Sequence, residues 1–248
     1  MDENYKAVFE EKGYVVFRGL FSARATIIKD EVDKMQGWKE TPGAYQMYFE
    51  RSLKDDSRIL SRIEKFLEYN NTLAEVINDG ELLNILNPLL GGNAKLFKEK
   101  VNYKQPGGDG FKHHQDQAAG WSKYDDFFVT ALICVDEANK NNGTLEIIAH
   151  TEKSRAVTNT DWAPLAQDDI DSMVFEVVDL LPGDVIIFDS YVFHGSYPNL
   201  TDTQRRVIYA TYGDGSKGDF RSDYYADKAK SYPQDCERDP TKEYIFKV

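Results

Sequence analysis

The chain has 248 residues, 41% of them hydrophobic, so it is long enough to bury a sizeable core within one large domain. Its 42 acidic against 30 basic residues give a formal net charge of −12, which argues against DNA, RNA or anionic membranes as partners. Two cysteines argue against a disulfide framework, and neither an export signal nor an apolar stretch of the roughly 20 residues that span a membrane is visible. We therefore expect a cytoplasmic protein that acts on a small molecule.

The first part of the chain, residues 1–93, combines helical patterns with a short strand. Residues 13–17 (Gly-Tyr-Val-Val-Phe) predict a strand, and apolar residues at spacings of one, three and four predict a helix after Ser22. A second helix is expected from about residue 72 to residue 90, where a glycine and a proline interrupt or end it. We therefore expect a helical front section over residues 1–93.

From residue 94 to residue 213 the pattern changes to short strands separated by turns. The strands are expected at residues 95–104, 127–135, 144–148, 185–188 and 206–212. Many short strands behind a helical segment predict an all-β core with flanking helices, a double-stranded β-helix of the jelly-roll, cupin-like type. No linker or repeat divides the chain, so we expect a single domain over residues 1–248 with a tail at residues 214–248.

The order His114, Gln115, Asp116 places an imidazole and a carboxylate on one side of a strand, because residues i and i+2 of a strand face the same way. His194 follows the apolar strand at residues 185–188 and can complete the set when the jelly roll closes. Two histidines and one carboxylate hold non-haem Fe(II) while leaving coordination positions open. A bare His-x-Asp occurs in many chains, so the pattern predicts a metal site only together with the strand context of both halves.

Arg205, which lies eleven positions after His194, is suited to clamp the carboxylate of a bound co-substrate through a bidentate fork. The alternative is a salt bridge at the rim, a role that Arg206 fits equally well. Ser196, two positions after His194, faces the same side and offers a hydroxyl donor. Together with the ligand set, these residues indicate an enzyme that activates O2 at iron and consumes 2-oxoglutarate.

We interpret the other two histidines as structural, because His113 lacks a carboxylate two positions further on and His150 lies at the end of a predicted strand. Zinc is the main rival metal. The motifs of a zinc hydrolase, such as His-Glu-x-x-His or a Cys-x-x-Cys pair, do not occur in the sequence. Two further functions stay open at this point: a zinc-dependent hydrolase using the same triad, and a non-catalytic jelly-roll protein that merely binds a ligand.

Five stretches taken together resemble the phytanoyl-CoA dioxygenase family of Fe(II)/2-oxoglutarate oxygenases. They are residues 96–104, 114–116, 142–146, 182–184 and 194–196, followed by Arg205. Their order and spacing cover roughly residues 10 to 213, and the set is far more specific than any one of its members.

The resemblance implies a role for each matching position and a set of cofactors. The positions are His114, Asp116 and His194 for the iron, Arg205 for the clamp on 2-oxoglutarate, and Ser196 and Asn102 for further contacts to 2-oxoglutarate. The implied cofactors are Fe(II), 2-oxoglutarate as co-substrate, and O2. The implied reaction decarboxylates 2-oxoglutarate to succinate and hydroxylates a C–H bond of a small substrate. Desaturation or ring formation on another small metabolite is the alternative.

Two details refine this resemblance. Halogenating relatives lack the carboxylate at the position of Asp116 to make room for halide, so the intact Asp116 favours hydroxylation. The family usually continues after Asn142 and Gly143 into a Pro-Gly-Ser-His turn, whereas residues 149–152 read Ala-His-Thr-Glu here. The loop beside the substrate pocket is therefore expected to differ from the family pattern.

Within the family, residues 98–104 and parts of the tail over residues 224–240 resemble the branch that includes 2-aminoethylphosphonate hydroxylases. A phosphonate substrate would need cationic contacts. Arg62 and Lys100, with Lys98, are the candidates for these contacts. The alternative for all three is ordinary charge on the surface of a strand.

Overall fold

The structure, a computed structural model, describes residues 4–150 and 164–245. Two antiparallel sheets pack against each other through a shared apolar layer, and helices cover the outer face of the larger sheet. This is a jelly roll with flanking helices, as predicted from the strand pattern. None of the helices in the described ranges combines the length and the apolar composition that crossing a membrane requires.

The sheets are built from short strands that follow one another along most of the chain. In chain order, the strands are β1 (Tyr14–Phe17), β2 (Gln46–Arg51), β3 (Arg58–Glu64), β4 (Ala94–Lys104), β5 (Phe111–His114), β6 (Val129–Cys134), β7 (Glu146–Ile147), β8 (Glu176–Val177), β9 (Val185–Asp189), β10 (His194–Ser196) and β11 (Arg205–Asp214). The helices are α1 (Tyr5–Lys12), α2 (Ala25–Gln36), α3 (Asn71–Ile77), α4 (Gly80–Leu86), α5 (Gln167–Asp171) and α6 (Arg221–Ser231).

The larger sheet has the strand order β1-β9-β6-β11-β4-β3-β2, and the smaller sheet has the order β5-β10-β7-β8. Every pairing within them is antiparallel. Because neighbours in space are often distant in sequence, the chain repeatedly crosses from one sheet to the other. Residues that are far apart along the chain thus meet in the layer between the sheets.

Strand β11 shows how side-chain alternation divides the core into two layers. Val207 packs in the layer between the sheets with Leu132 and Ile147, whereas Ile208 packs on the outer face with the helices. The outer layer is closed by α2, which buries Ile28, Val32 and Met35 at helical spacing. The inner layer turns polar towards one end, and this end contains the cavity described below.

The structure corrects two expectations for the front section. Residues 46–51 and 58–64, expected to lie among helices and loops, form β2 and β3 at the edge of the large sheet, so this section supplies three of its strands. The single helix expected from residue 72 to residue 90 is divided into α3 and α4. The division falls at Asp79, whose carboxylate accepts a hydrogen bond from the backbone of Glu81 and so caps a new helix.

The departure from the family pattern at residues 149–152 lies partly outside the described residues. Ala149 and His150 are described, and the loop they lead into is not.

Candidate active site

The register of the small sheet brings the two distant histidines together. Strand β10 pairs with β5 so that His194 lies directly opposite His114. Their rings are 4.5 Å apart between centroids. Asp116 lies in a short helical turn immediately after β5, which directs its carboxylate towards the same point. One metal-binding atom from each of these three buried residues lies within 4.8 Å of the others.

Backbone hydrogen bonds set the orientation of both imidazoles. His114 Nδ1 lies 2.6 Å from the carbonyl oxygen of Lys112, and His194 Nδ1 lies 3.0 Å from that of Val192. A carbonyl only accepts, so each Nδ1 carries the proton and each Nε2 presents a lone pair. The two Nε2 atoms lie 3.5 Å and 3.9 Å from Asp116 Oδ1. This tautomer is the one that metal-binding histidines adopt when a backbone acceptor holds the other nitrogen.

Asp116 and His194 are also in the protonation states that bind a metal ion. Burial by itself raises the pKa of Asp116, but His194 and His114 beside it lower this pKa further and hold it well below its usual range. Burial lowers the pKa of His194 to about 4. At neutral pH the site therefore offers a carboxylate and a neutral imidazole at these positions. Such a donor set fits Fe(II) with open coordination positions.

A small cavity lies beside the triad, between the two sheets. Its walls come from both sheets: β4 and β11 of the larger sheet contribute Lys98, Lys100, Asn102, Tyr209 and Thr211, and β5 and β10 of the smaller sheet contribute His114 and His194. The remaining lining residues include Phe111, Trp121, Thr130, Leu145 and Ser196. Most of the side chains that line the cavity are polar or charged, and they surround the metal-binding atoms together with a few apolar groups.

Arg205, the predicted clamp, lies at the start of β11 and is almost completely buried. Its side chain donates a hydrogen bond to the carbonyl oxygen of Gly143. It pairs in register with Lys104, whose ammonium is 2.7 Å from Ser196 Oγ. Because Lys104 donates to this oxygen, the Ser196 hydroxyl proton is left to donate elsewhere. Arg205 and Ser196 thus lie at one end of the inner layer, and Ser196 also lines the cavity.

Arg206 forms salt bridges, the role that the sequence analysis gave as the alternative for Arg205. Its guanidinium binds both oxygens of Asp136, at 2.7 Å and 2.9 Å, and also contacts Asp33. Adjacent residues of a strand point to opposite faces, so Arg206 lies outside the inner layer while Arg205 lies within it. The structure thus gives the two arginines different surroundings, whereas in the sequence both fitted a salt bridge at the rim.

The two other histidines lie outside the metal-binding group, as predicted. His113 Nε2 lies 3.0 Å from a carboxylate oxygen of Glu146. His150 Nε2 lies 2.6 Å from a carboxylate oxygen of Asp189. Both histidines therefore have acidic partners, but these partners come from distant strands and no short spacing in the sequence revealed them. Each pair is mostly buried and ties neighbouring segments together.

Arg62 and Lys100, the predicted substrate contacts, lie in different places. Lys100 lines the cavity beside the triad. Arg62 lies in an adjoining cavity that shares only Phe111 and His114 with the first. Its Nε is 2.7 Å from Glu64, and its guanidinium lies over the ring of Tyr48. Arg62 is thus held by a carboxylate, in contrast to Lys100.

Sequence reasoning missed several lining residues, above all Trp121, Tyr209 and Thr211. The alternation rule offered a signal for two of them. Once Arg205 is placed on the inner face of β11, Tyr209 and Thr211 must share that face, since they follow it at even spacings. Trp121 lies in an irregular segment after the triad, and no periodicity marks such a position.

The jelly roll and its buried set of two imidazoles and one carboxylate define the class of oxygenases that use Fe(II), 2-oxoglutarate and O2. Residues 9–207 match the family described as phytanoyl-CoA dioxygenase (PhyH). Because this match spans most of the chain, the protein belongs to the phytanoyl-CoA dioxygenase family.

Individual relatives agree with this assignment. The chain is 32% identical over 243 residues to a 2-aminoethylphosphonate dioxygenase of an uncultured bacterium, covering 98% of this chain and 93% of that one. It is 30% identical over 227 residues to a methylphosphonate hydroxylase of Gimesia maris, covering 91% and 86%. Among solved structures, EctD from S. alaskensis with 2-oxoglutarate and 5-hydroxyectoine has a TM-score of 0.73 at 20% identity, covering 88% and 77%. The predictions of family, fold, cofactors and oxygenase activity are thereby confirmed.

Proposed function

We propose that this oxygenase hydroxylates a C–H bond of a small organophosphonate. In this proposal His114, Asp116 and His194 hold Fe(II), while Arg205, Ser196 and Asn102 hold 2-oxoglutarate. The observation that carries it is the cavity itself, in which the metal-binding triad faces a wall of buried lysines. The names of the two relatives above support the choice of a phosphonate.

The residues around the metal site each make a definite contribution. When bound, Fe(II) and 2-oxoglutarate supply the oxidising chemistry. The protein holds the three ligand atoms in place through the backbone contacts of both imidazoles. Phe111 and Leu145 in the cavity wall keep bulk water away, which strengthens the electrostatic interactions inside.

Contacts at the start of β11 support the binding of the 2-oxoglutarate carboxylate there. The Arg205 Nε–H is buried and has no hydrogen-bond partner within the described part of the chain. The Ser196 hydroxyl proton is likewise left to donate, because Lys104 donates to its oxygen. The Asn102 Oδ1 atom is buried without a described partner on the same inner face. Unsatisfied buried polar groups are costly, and a bound carboxylate would satisfy these two donors.

The test is succinate formation from 2-oxoglutarate with Fe(II), scored with and without methylphosphonate or 2-aminoethylphosphonate. We expect phosphonate-stimulated succinate formation together with a hydroxylated product detected by mass spectrometry. Asp116→Ala should lose bound iron and reduce turnover by about 1,000-fold or more, since it removes a ligand of the catalytic metal. Lys95→Met, a change at an exposed lysine on β4, is the matched control and should behave as wild type.

Two results would contradict the proposal. Full activity and iron content in Asp116→Ala would remove the metal assignment. Wild-type enzyme that binds iron and 2-oxoglutarate but shows no stimulation by any phosphonate would remove the substrate class.

A further inference from the structure

Lys98 is a buried cation without a hydrogen-bond partner in the described part of the chain. Its side chain lines the cavity beside the triad. Its ammonium lies 4.8 Å from the ring centre of Trp121 and 5.2 Å from that of Tyr224. Aromatic faces attract a cation but provide no hydrogen-bond acceptor of the strength of an anion. The Lys98 ammonium is therefore buried beside aromatic rings and lacks a hydrogen-bonding anion among the described residues.

Lys100, two residues further along β4, points into the same cavity. Its ammonium also lies near aromatic rings, 4.9 Å from the centre of Tyr209 and 6.0 Å from that of Phe111. Burial and the neighbouring Lys98 lower its pKa to about 7. Two adjacent lysines on one face of a strand thus share a water-poor space, an arrangement that disfavours both charges unless an anion joins them.

The nearby carboxylate, Glu64, is already engaged by other cations. Lys228 Nζ lies 2.8 Å and 2.7 Å from its two oxygens, and Arg62 Nε lies 2.7 Å away. Neither Lys98 nor Lys100 comes within ion-pair distance of a carboxylate in the described ranges. The other acidic group beside them, Asp116, belongs to the metal-binding set. The wall therefore has an excess of positive charge that the protein itself does not neutralise.

We propose that Lys98 and Lys100 together form a subsite for a doubly charged tetrahedral anion, the phosphonate group of the substrate. This inference rests on the proposed function and specifies how the enzyme selects its substrate. At neutral pH a phosphonate carries between one and two negative charges on three acceptor oxygens, and a site with two cations favours its doubly charged form. A sulfonate of the same shape carries one charge, and a carboxylate has one charge and two oxygens. The paired ammonium groups therefore select phosphonates over both.

The co-substrate is a poor candidate for this subsite because of where the cations lie along the strand. Lys104 is opposite Arg205 in the sheet, Lys100 is opposite Tyr209, and Lys98 is opposite Thr211. At about 3.3 Å per residue, the backbone positions of Lys100 and Lys98 lie roughly 13 Å and 20 Å from that of Lys104. A five-carbon dicarboxylate with one end at Arg205 is shorter than either distance. Lys98, the more distant of the two, therefore lies on the side of the cavity away from Arg205.

The experiment compares three ligands with the same aminoethyl skeleton, namely 2-aminoethylphosphonate, 2-aminoethanesulfonate and 3-aminopropanoate. Each ligand is titrated into the anaerobic Fe(II)- and 2-oxoglutarate-loaded enzyme, with the visible absorption of that complex giving Kd, and each is then assayed for kcat/KM. The variants are Lys98→Met and Lys100→Met, which keep side-chain length and remove the charge. Lys100→Arg keeps a cation, and Lys95→Met on the same strand is the control.

We expect each Met variant to weaken phosphonate binding by about 10- to 100-fold, the effect of losing one hydrogen bond to a charged group. The loss should fall on Kd and KM more than on kcat. The preference for phosphonate over sulfonate should shrink by the same factor, because the singly charged ligand depends less on the second cation. Lys100→Arg should keep most of the preference, and Lys95→Met all of it.

The two levels of the proposal fail in different ways. If wild type oxidises the phosphonate and both Met variants keep its Kd and its preference over the sulfonate, the lysine subsite is wrong and the phosphonate hydroxylase function stands. If wild type forms the Fe(II)–2-oxoglutarate absorption but neither binds nor oxidises the phosphonate, the substrate class is wrong and the subsite falls with it. Retention of that absorption and of Tm in each variant excludes misfolding as the cause.

Discussion

Two lysines on β4, Lys104 at the end of the strand and Lys98 near its middle, are in opposite situations. At one end, Lys104 donates hydrogen bonds to Tyr197 O at 2.6 Å, Ser196 Oγ at 2.7 Å and Gly143 O at 3.2 Å. Near the middle of the strand, Lys98 is just as buried, and its ammonium has no hydrogen-bond partner among the described residues. Both lysines face the inner layer of the jelly roll, at even spacing along one strand.

The difference separates a structural cation from one available to a ligand. All three donors of Lys104 are used within the protein, so its ammonium closes the end of the layer next to Arg205. The donors of Lys98 are directed towards the cavity and its aromatic walls. Burial is the same at both places, so hydrogen-bond satisfaction is the property that distinguishes them. The stability of the rest of the fold must offset the free-energy cost of burying the Lys98 ammonium without a hydrogen-bond partner.

The largest expected effect concerns Arg205, which lies at the start of β11 opposite Lys104. Arg205→Ala should raise the KM for 2-oxoglutarate about 30-fold or more, corresponding to roughly 2–5 kcal/mol for removing one partner of a buried charge pair. The KM for the phosphonate should change little, which is the reverse of the result expected for Lys98→Met. Steady-state kinetics with each ligand varied in turn checks this. Similar changes in the KM for 2-oxoglutarate and in the KM for the phosphonate would show that Arg205 and Lys98 do not serve separate ligands.

A smaller effect is expected from removing the structural cation. Lys104→Met should lower the free energy of unfolding by about 3 kcal/mol, because its three buried acceptors lose a charged donor. Lys98→Met breaks no described hydrogen bond and should change this free energy by less than about 1 kcal/mol, or raise it. Urea unfolding of both variants makes the comparison. Equal losses of unfolding free energy in the two variants would show that hydrogen-bond satisfaction does not distinguish the two lysines.

The smallest effect concerns Glu64, the carboxylate beside the lysine pair. Burial alone raises its pKa, but Lys228, Arg62 and Lys98 lower this pKa to about 2. Since the folded pKa is below the unfolded value, the stabilisation is present above about pH 4.5 and is lost as the pH falls from there towards 2. The loss should reach at most about 3 kcal/mol.

Unfolding free energies measured between pH 6 and pH 3 check the role of Glu64. Glu64→Gln should be less stable at neutral pH and should show a flatter decline on acidification. An identical pH profile in the variant would mean that other carboxylates cause the decline.

Sequence reasoning located the metal site because its signals are local. His114 and Asp116 are two residues apart, which keeps their side chains close together even though the strand ends at His114 and Asp116 begins a short helical turn. Arg205 and Ser196 were predicted from their positions after His194, and their roles towards 2-oxoglutarate stay predictions. Strands β2 and β3 were missed because their hydrophobic residues are interrupted by charged ones, and a strand at a sheet edge has little apolar periodicity to reveal it.

The burial of the lysines on β4 could not be predicted from a single sequence, for a different reason. Alternation showed that Lys98 and Lys100 share a face, but a strand with charges on one face normally exposes that face to water. Here the face is buried from Leu96 to Lys104, because the small sheet and α6 cover it. Whether a charged face is solvated depends on residues distant in sequence, and the same holds for the acidic partner of His150.

The parts of this active site belong to different sheets. The metal-binding histidines are on β5 and β10 of the small sheet, whereas the lysine pair and Arg205 are on β4 and β11 of the large one. Alternate residues of β4 can therefore change during evolution without altering the spacing of the iron ligands. New substrates would become accessible by exchanging a few side chains on one strand while the oxidising centre is inherited intact. Because of this division, the side chains on β4 can change independently of the iron ligands.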